Sequence, residues 1–183
     1  IENSLAVLDQ GGTMLYRTDT TWGVGCDATN AAAVQKIYDL KERPATKSMV
    51  VLLADEKDIL KYVAAPDPGI FDFLKDVKRP TTVIYDSAIG LSENLLAEDG
   101  SVAIRVVNDE FCRHLIKRFR KPIVSTSANL SGDPSPKTFT EVLNHIRTGV
   151  AYIVSYRQDD ETEAEPSSIV KWNKDGSRTI VRL

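Results

Sequence analysis

The chain has 183 residues, of which 42% are hydrophobic and 27% are charged, and its formal net charge at pH 7 is −3. This size and composition fit one soluble globular domain over residues 1–183 with a sizeable core. The net negative charge disfavours nucleic-acid binding by the protein surface as a whole, so such binding would require a local basic patch. No apolar run reaches membrane-spanning length, and Cys26 and Cys112 show no metal or redox spacing, so we expect no membrane partner and a cytoplasmic location.

The first half of the chain predicts alternating helices and strands. Apolar residues at helical spacing predict a helix over 1–8 and a second helix that Asn30 caps and that ends before Pro44. Short apolar runs predict strands over 13–17 and 48–53, and two helical segments are expected near 56–63 and 69–75. The stretch from Thr18 to Gly25 is interpreted as a polar, glycine-rich loop.

The second half predicts more strands and ends in a hairpin. Strands are expected over 81–85, 101–106, 122–124 and 151–154, and 87–100 is expected to be irregular. Asn108 is predicted to cap a helix that reaches Phe119, and 138–141 matches a capping box. Strands over 168–172 and 178–182 flank an Asn-Lys-Asp-Gly turn. The order predicts an α/β (α+β) domain, a twisted mixed sheet flanked by helices.

Three groups of polar residues are candidate binding residues. The segment after the strand at 122–124 carries an array of hydroxyls and one amide, including Ser125, Ser127, Asn129 and Ser135, at the strand end where α/β proteins bind ligands. The same hydroxyls could instead satisfy the backbone of an ordinary turn.

The second group, Lys41, Arg43 and Lys47, places three cations within seven residues after a helix, which suits a polyphosphate or the helix C-terminus itself. The third, Ser101 and Arg105, shares one face of a strand, where Arg105 needs either an internal carboxylate or a ligand anion. The sequence contains no P-loop and no G-x-S-x-G elbow, and its two histidines are isolated. This pattern predicts a basic, hydroxyl-rich pocket for a nucleoside triphosphate, without a protein-only metal site.

Five motifs in this order resemble those of the YrdC/Sua5 (TsaC-like) threonylcarbamoyl-AMP synthase family. Residues 18–25, TDTTWGVG, are similar to P-T-[DE]-T-x-[YF]-G-L-G, with Arg17 in place of the usual proline. Residues 41–47 resemble K-x-R-P-x-x-K-P, with Ser48 in place of the last proline, and 101–105 resemble T-V-A-V-R. Residues 125–136 are similar to S-x-N-x-S-G-x-x-[SP], and 166–170 are similar to P-S-T-[IV]-[VI].

The resemblance implies a fold and an activity. The fold would be the YrdC/RibB-like sheet around a concave positive cavity. The activity would be that of a nucleotidyltransferase that converts L-threonine, bicarbonate and ATP, with Mg²⁺, into L-threonylcarbamoyladenylate and diphosphate. The product would serve N6-threonylcarbamoyl modification of adenosine in tRNA, so downstream transferase proteins and tRNA are implied as partners.

The resemblance also implies roles for individual residues. Lys41, Arg43 and Lys47 would be catalytic and would neutralise phosphate charge. ATP would be bound by Arg43, Lys47, Ser101, Ser127, Asn129, Ser135 and Arg182. Threonine would be bound by Thr20, Arg105, Ser125 and Ser167.

Two other functions are open at this point. One is an RNA-binding, translation-associated module that uses the same basic cavity for double-stranded RNA or tRNA without this chemistry; the acidic total charge and the lack of an aromatic stacking platform argue against it. The other is a related carbamoyl-adenylate enzyme, as when this domain forms part of hydrogenase-maturation proteins. The short chain argues against that assignment.

Overall fold

The computed structural model describes residues 1–163 and 165–183. Its helices are α1 (Glu2–Asp9), α2 (Ala31–Lys41), α3 (Ile59–Tyr62), α4 (Gly69–Asp76), α5 (Glu110–Phe119) and α6 (Asn144–Gly149). Its strands are β1 (Met14–Arg17), β2 (Trp22–Gly25), β3 (Val50–Leu53), β4 (Thr81–Tyr85), β5 (Val102–Val106), β6 (Ile123–Ser127), β7 (Tyr152–Ile153), β8 (Ser168–Trp172) and β9 (Arg178–Arg182). No helix in these described ranges combines the length and apolarity that a membrane crossing requires.

The strands form one mixed sheet in the order β7-β1-β2-β6-β3-β5-β4-β8-β9. Three neighbouring pairs are parallel (β1 with β7, β3 with β5, β4 with β8), and the other five are antiparallel. The expected α/β fold with a twisted mixed sheet is therefore confirmed.

The two faces of the sheet are covered differently. On one face, Val51, Ile104 and Val124 belong to the main core, which includes Ile37 of α2 and Ile146 of α6. On the other face, α1 and α5 cover only part of the sheet, where Leu52 and Ile123 pack with Leu115 and Phe119. Side chains alternate between the two faces along a strand, so Val50, Arg105 and Ser125 lie on the same face as Leu52 and Ile123. Beyond the area that the helices cover, these residues line an open cavity.

Two strands differ from their prediction. Residues Trp22–Gly25 form β2 rather than a loop, and this strand pairs with β1 on one side and with β6 on the other. The strand predicted at 122–124 extends to Ser127, so Ser125 and Ser127 are strand residues with fixed directions. In both places pairing with neighbouring strands outweighs the turn preference of glycine and serine.

The helix caps were predicted with mixed success. Asn30 caps α2 as expected, because its side chain accepts a hydrogen bond from the backbone N–H of Ala33 at 3.1 Å. The cap of α5 is Asp109 and not Asn108, since the Asp109 carboxylate accepts from the N–H of Cys112 at 2.9 Å. The capping box at 138–141 does not form: that segment is a single 3₁₀ turn over 139–141, and α6 begins at Asn144.

Candidate functional site

A cavity of about 340 Å³ opens on the partly covered face of the sheet. Its polar lining consists of three guanidinium groups and eight hydroxyl residues: Arg43, Arg105, Arg182, Thr20, Thr21, Ser48, Ser125, Thr126, Ser127, Ser135 and Ser167. Its apolar lining comes mainly from β3, β4, β5, β8 and β9: Met49, Val50, Ile84, Ala103, Ile169, Val181 and, before β8, Pro166. Among the described residues that line it there is no carboxylate, so the cavity suits an anionic ligand with groups that hydrogen-bond to hydroxyls.

Eight of the twelve predicted site residues line this one cavity. They are Thr20, Arg43, Arg105, Ser125, Ser127, Ser135, Ser167 and Arg182. A larger cavity of about 550 Å³ beside α4 and α5 contains none of the twelve and mixes Lys78, Arg79 and Arg113 with acidic groups. We therefore take the smaller cavity as the candidate site.

Arg105 is the most buried cation of the lining, with 4% of its surface exposed. Its Nη2 lies 3.1 Å from Oδ1 of Asp19 and donates to Oγ1 of Thr20 at 3.2 Å. The second Asp19 oxygen accepts from the backbone N–H of Asn108 at 3.3 Å. The Nε of Arg105 is buried and has no partner among the described residues. Arg105 is thus neutralised from behind by Asp19, and its side chain forms part of the cavity lining.

Ser167 is positioned by two contacts. Its hydroxyl lies 2.7 Å from that of Thr82, a fully buried residue that faces Arg105 in the β4–β5 register. Its carbonyl accepts from Nε of Arg182 at 2.9 Å, which brings the last strand to the cavity wall. Burial and the nearby charges of Arg105 and Arg79 lower the pKa of Arg182. Mutual repulsion of these cations favours the arrival of an anion.

Arg43 holds the turn that follows α2. Its Nε donates to the carbonyl of Lys47 at 2.9 Å, and its Nη2 donates to the carbonyl of Ser48 at 2.8 Å. Partial burial lowers its pKa. The guanidinium therefore sits at the cavity edge in a fixed orientation, as recognition of a planar anion requires.

Lys41, for which the resemblance implies a catalytic role at the phosphates, does not line the cavity. It is fully buried, and its Nζ donates to the carbonyls of Ser127 and, at 2.8 Å, of Asn129. Its own carbonyl accepts from the N–H of Ser131 at 2.9 Å. Burial, together with the charge of Arg43, lowers the pKa of Lys41 to about 7. Lys41 therefore anchors the segment that follows β6 from below.

Three more predicted residues also lie outside the lining. The Nδ2 of Asn129 donates to the carbonyls of Leu130 and Asp133, at 2.8 and 2.9 Å, so this amide holds its own loop together. Ser101 is buried just before β5, with its N–H bonded to Asp99 at 3.0 Å. Lys47 is exposed on the turn that Arg43 holds. Direct ligand contact by these residues stays a prediction.

Sequence reasoning did not select several residues that shape the site. Thr21, Ser48 and Thr126 line the cavity, and Asp19 and Thr82 support Arg105 and Ser167. An internal carboxylate is one of the two partners that the sequence left open for Arg105, and Asp19 lies within one of the quoted motifs. Thr82 had no signal, because its role depends on the pairing of β4 with β5.

The fold and the cavity together define an α/β protein with a cavity on the open face of a mixed sheet, whose cationic and hydroxyl lining suits a small anionic ligand. The family model described as "Telomere recombination" (Sua5, YciO and YrdC) matches residues 6–183. The chain belongs to this family.

Curated relatives agree over most of the chain. A threonylcarbamoyl-AMP synthase of Idiomarina loihiensis is 34% identical over 164 residues, which are 87% of this chain and 86% of that protein. One of Photobacterium profundum is 33% identical over 151 residues, 80% of each protein. Among solved structures, P. abyssi Sua5 complexed with L-threonine superposes with a TM-score of 0.86 at 20% identity over 98% of this chain. The match spans 52% of that Sua5 chain, about half its length, and at this identity it shows the shared fold.

Proposed function

We propose that this chain is an L-threonylcarbamoyladenylate synthase that forms threonylcarbamoyl-AMP and diphosphate from L-threonine, bicarbonate and ATP. The observation that carries the proposal is the single cavity in which Arg43, Arg105 and Arg182 meet eight hydroxyl residues without a lining carboxylate. ATP is a polyanion and threonine carries a carboxylate, and both of these substrates carry hydroxyls. The relatives named threonylcarbamoyl-AMP synthase cover 80% or more of this chain, which supports the same assignment.

In this proposal, threonine occupies the end of the cavity around Arg105. The guanidinium of Arg105 would pair with the substrate carboxylate, while Asp19 and Thr20 contact its Nη2. The hydroxyls of Thr20, Ser125 and Ser167 would meet the substrate's amine and hydroxyl. A site built to bond the threonine hydroxyl would disfavour amino acids that lack it, since its own polar groups would then stay unpaired. P. abyssi Sua5, which has the same fold, has been solved in complex with L-threonine, and this supports threonine as a substrate in the proposal.

ATP occupies the end around Arg43, Ser127, Ser135 and Arg182. The guanidinium groups would neutralise phosphate oxygens, and Lys47 could reach them from its exposed turn. Lys41, Asn129 and Ser101 would fix the loops and strands that carry the lining, and contact of Asn129 and Ser101 with ATP stays a prediction. The described lining offers hydroxyls but no carboxylate for Mg²⁺, so we propose that the ion enters as the counter-ion of the ATP phosphates.

The chemistry then needs positioning and charge stabilisation more than a nucleophilic side chain. Bicarbonate and the threonine amine condense to a carbamate with loss of water. One carbamate oxygen attacks the α-phosphorus of ATP, the α–β bridging bond breaks, and diphosphate leaves with the bonding electrons. Arg43 and Arg182 would stabilise the charge that develops on the phosphate oxygens and the leaving group. The apolar lining would shield the product from water.

The proposal extends to biology beyond the cavity. The product would be passed to transferase proteins that modify tRNA in the cytoplasm, and contact with tRNA itself is part of this hypothesis. The RNA-binding module without chemistry is not favoured, because the relatives with high coverage are named as synthases.

Incubation of the protein with ATP, L-threonine and ¹³C-bicarbonate tests the proposal. We expect mass spectrometry to detect an adenylate that carries the labelled carbon together with threonine, and one diphosphate for each adenylate formed. Omission of either threonine or bicarbonate should abolish this species. ATP hydrolysis without a labelled adenylate, or no turnover by folded protein, would contradict the assignment.

A further inference from the structure

Three segments that belong to the site meet at Arg17, the last residue of β1. The turn that follows β1 carries Thr20. The segment after β6 carries Ser135, and the segment before β8 carries Ser167. The last two segments are irregular, so backbone pairing in the sheet does not fix them. We refer to residues 128–138 as the Ser135 segment and to the described residues 155–163 and 165–167 as the Ser167 segment.

The guanidinium of Arg17 connects the Ser135 and Ser167 segments. Its Nη1 donates to the carbonyl of Lys137 at 3.5 Å, and its Nη2 donates to the carbonyl of Thr162 at 3.4 Å. The planar guanidinium of a single residue of β1 therefore contacts both irregular segments. Only 3% of the Arg17 surface is exposed, so water contributes little to its solvation.

The charge of Arg17 lacks an ionic partner among the described residues. The nearby carboxylates of Asp109 and Asp160 pair with Arg157 instead, at 3.4 and 2.5 Å. The Nε of Arg17 is also buried without a partner. Burial, followed by the charge of Arg157, lowers the pKa of Arg17. A buried cation of this kind is costly for a protein, so it is not explained by stability alone.

Both Arg17 contacts are near the upper limit of hydrogen-bond length, and a donor is left over. A small inward movement of either segment would shorten the bonds and strengthen them. A ligand that draws Ser135 and Ser167 toward itself would produce such a movement. The arrangement is thus able to couple the two walls of the cavity to each other.

We propose that Arg17 is a positioning residue that holds the Ser135 and Ser167 segments together across the candidate site. It acts through these segments and does not line the cavity. The proposal that Arg17 affects ATP and threonine binding rests on the proposed function. The contacts by which Arg17 links the two segments do not depend on that function.

Hydrogen–deuterium exchange tests the link directly. In Arg17→Met, which keeps a long side chain without donors, we expect amides over 133–138 and 159–163 to exchange about tenfold faster or more than in the wild type. Arg17→Lys, which keeps the charge and loses the fork, should be intermediate. The matched control is Lys137→Met: it removes an exposed 3.3 Å ion pair with Glu163 between the same segments and should change exchange little.

Kinetics provides the second readout. With Arg17→Met we expect KM for both ATP and threonine to rise about tenfold, while kcat at saturation stays within about twofold, because the chemical groups are intact. Ligands should slow exchange over both segments in the wild type and do so less in the variant. Unchanged exchange in folded Arg17→Met and Arg17→Lys would overturn the link. Faster exchange with no synthase activity in the wild type would keep the link and reject the proposed function.

Discussion

The Nη2 nitrogen of Arg105 lies 3.1 Å from Oδ1 of Asp19 and 3.2 Å from Oγ1 of Thr20, so one nitrogen serves both partners. The pair is almost fully buried, with 5% and 9% of the two side chains exposed. An internal carboxylate therefore neutralises Arg105 while Nε is left without a partner. This arrangement explains how an arginine within an apolar strand is retained in the folded state while its side chain lines the cavity.

The first prediction concerns threonine recognition by Arg105. Arg105→Met alone would leave the Asp19 carboxylate buried without its cation. The informative variant is therefore Arg105→Met combined with Asp19→Asn, which removes both charges. We expect KM for threonine to rise about 10- to 100-fold, as for the loss of a charge-assisted hydrogen bond, with a much smaller change for ATP. Steady-state kinetics with each substrate varied in turn measures both. An equal rise for both substrates would contradict a threonine-specific role.

The second prediction concerns the stability of the same pair. Asp19→Asn leaves the Arg105 charge buried without its carboxylate, which typically costs about 3–5 kcal/mol. Urea unfolding should show this loss. Asp9→Asn, at the exposed end of α1, is the matched control and should stay within about 0.5 kcal/mol of the wild type. A loss below about 1 kcal/mol for Asp19→Asn would mean that solvent screens the pair.

The third prediction follows from the lowered pKa of Lys41. Its folded pKa is about 7, while the ordinary value is 10.5, so between these pH values the unfolded chain binds a proton that the folded chain has lost. Stability should therefore rise with pH through this window and not change below it on account of Lys41. From pH 7 to pH 9 the gain should be about 2 kcal/mol.

Comparison of the wild type with Lys41→Met by urea unfolding at several pH values isolates this contribution, because other titrating groups are shared. The wild type should gain stability relative to the variant as pH rises. Lys47→Met, which changes an exposed lysine on the nearby turn, should follow the wild type. Parallel curves for the wild type and Lys41→Met would show that Lys41 titrates normally.

The fourth prediction concerns Gly25, where β2 passes close to its neighbours. A Cβ there would collide with the carbonyl of Val124 and lie 2.7 Å from Cε1 of Tyr16. Gly25→Ala should therefore destabilise the fold by about 2 kcal/mol or more, because backbone and a buried ring must move. Gly132→Ala meets no atom within 4 Å and has only its φ of +92° to strain, so about 1 kcal/mol is expected. Thermal unfolding of both variants checks the order.

The sequence predicted most of the sheet because apolar runs such as Val51–Leu53 are buried whatever their neighbours are. It did not predict β2, whose residues Trp22–Gly25 include two glycines and become a strand only between β1 and β6. Strand formation there depends on pairing with β1 and β6, which the local sequence preference of these residues does not predict.

The candidate site shows the same division. Arg43 and Arg105 reach one cavity as predicted, since a strand fixes the direction of one and the turn after α2 that of the other. Lys41 is two residues from Arg43, yet helical rotation carries it into the core beneath the segment after β6. The sequence therefore identifies the cations of the site, but only the packing of the folded chain determines which of them line the cavity.

The most direct test of the central claim is exchange of labelled diphosphate into ATP, measured with and without L-threonine and bicarbonate. The account predicts exchange when both are present, loss of exchange when either is omitted, and a threonine requirement that rises strongly in the Arg105 and Asp19 double variant. Exchange that does not depend on threonine, or no exchange by folded protein, would contradict the claim that this cavity holds the amino acid beside the nucleotide.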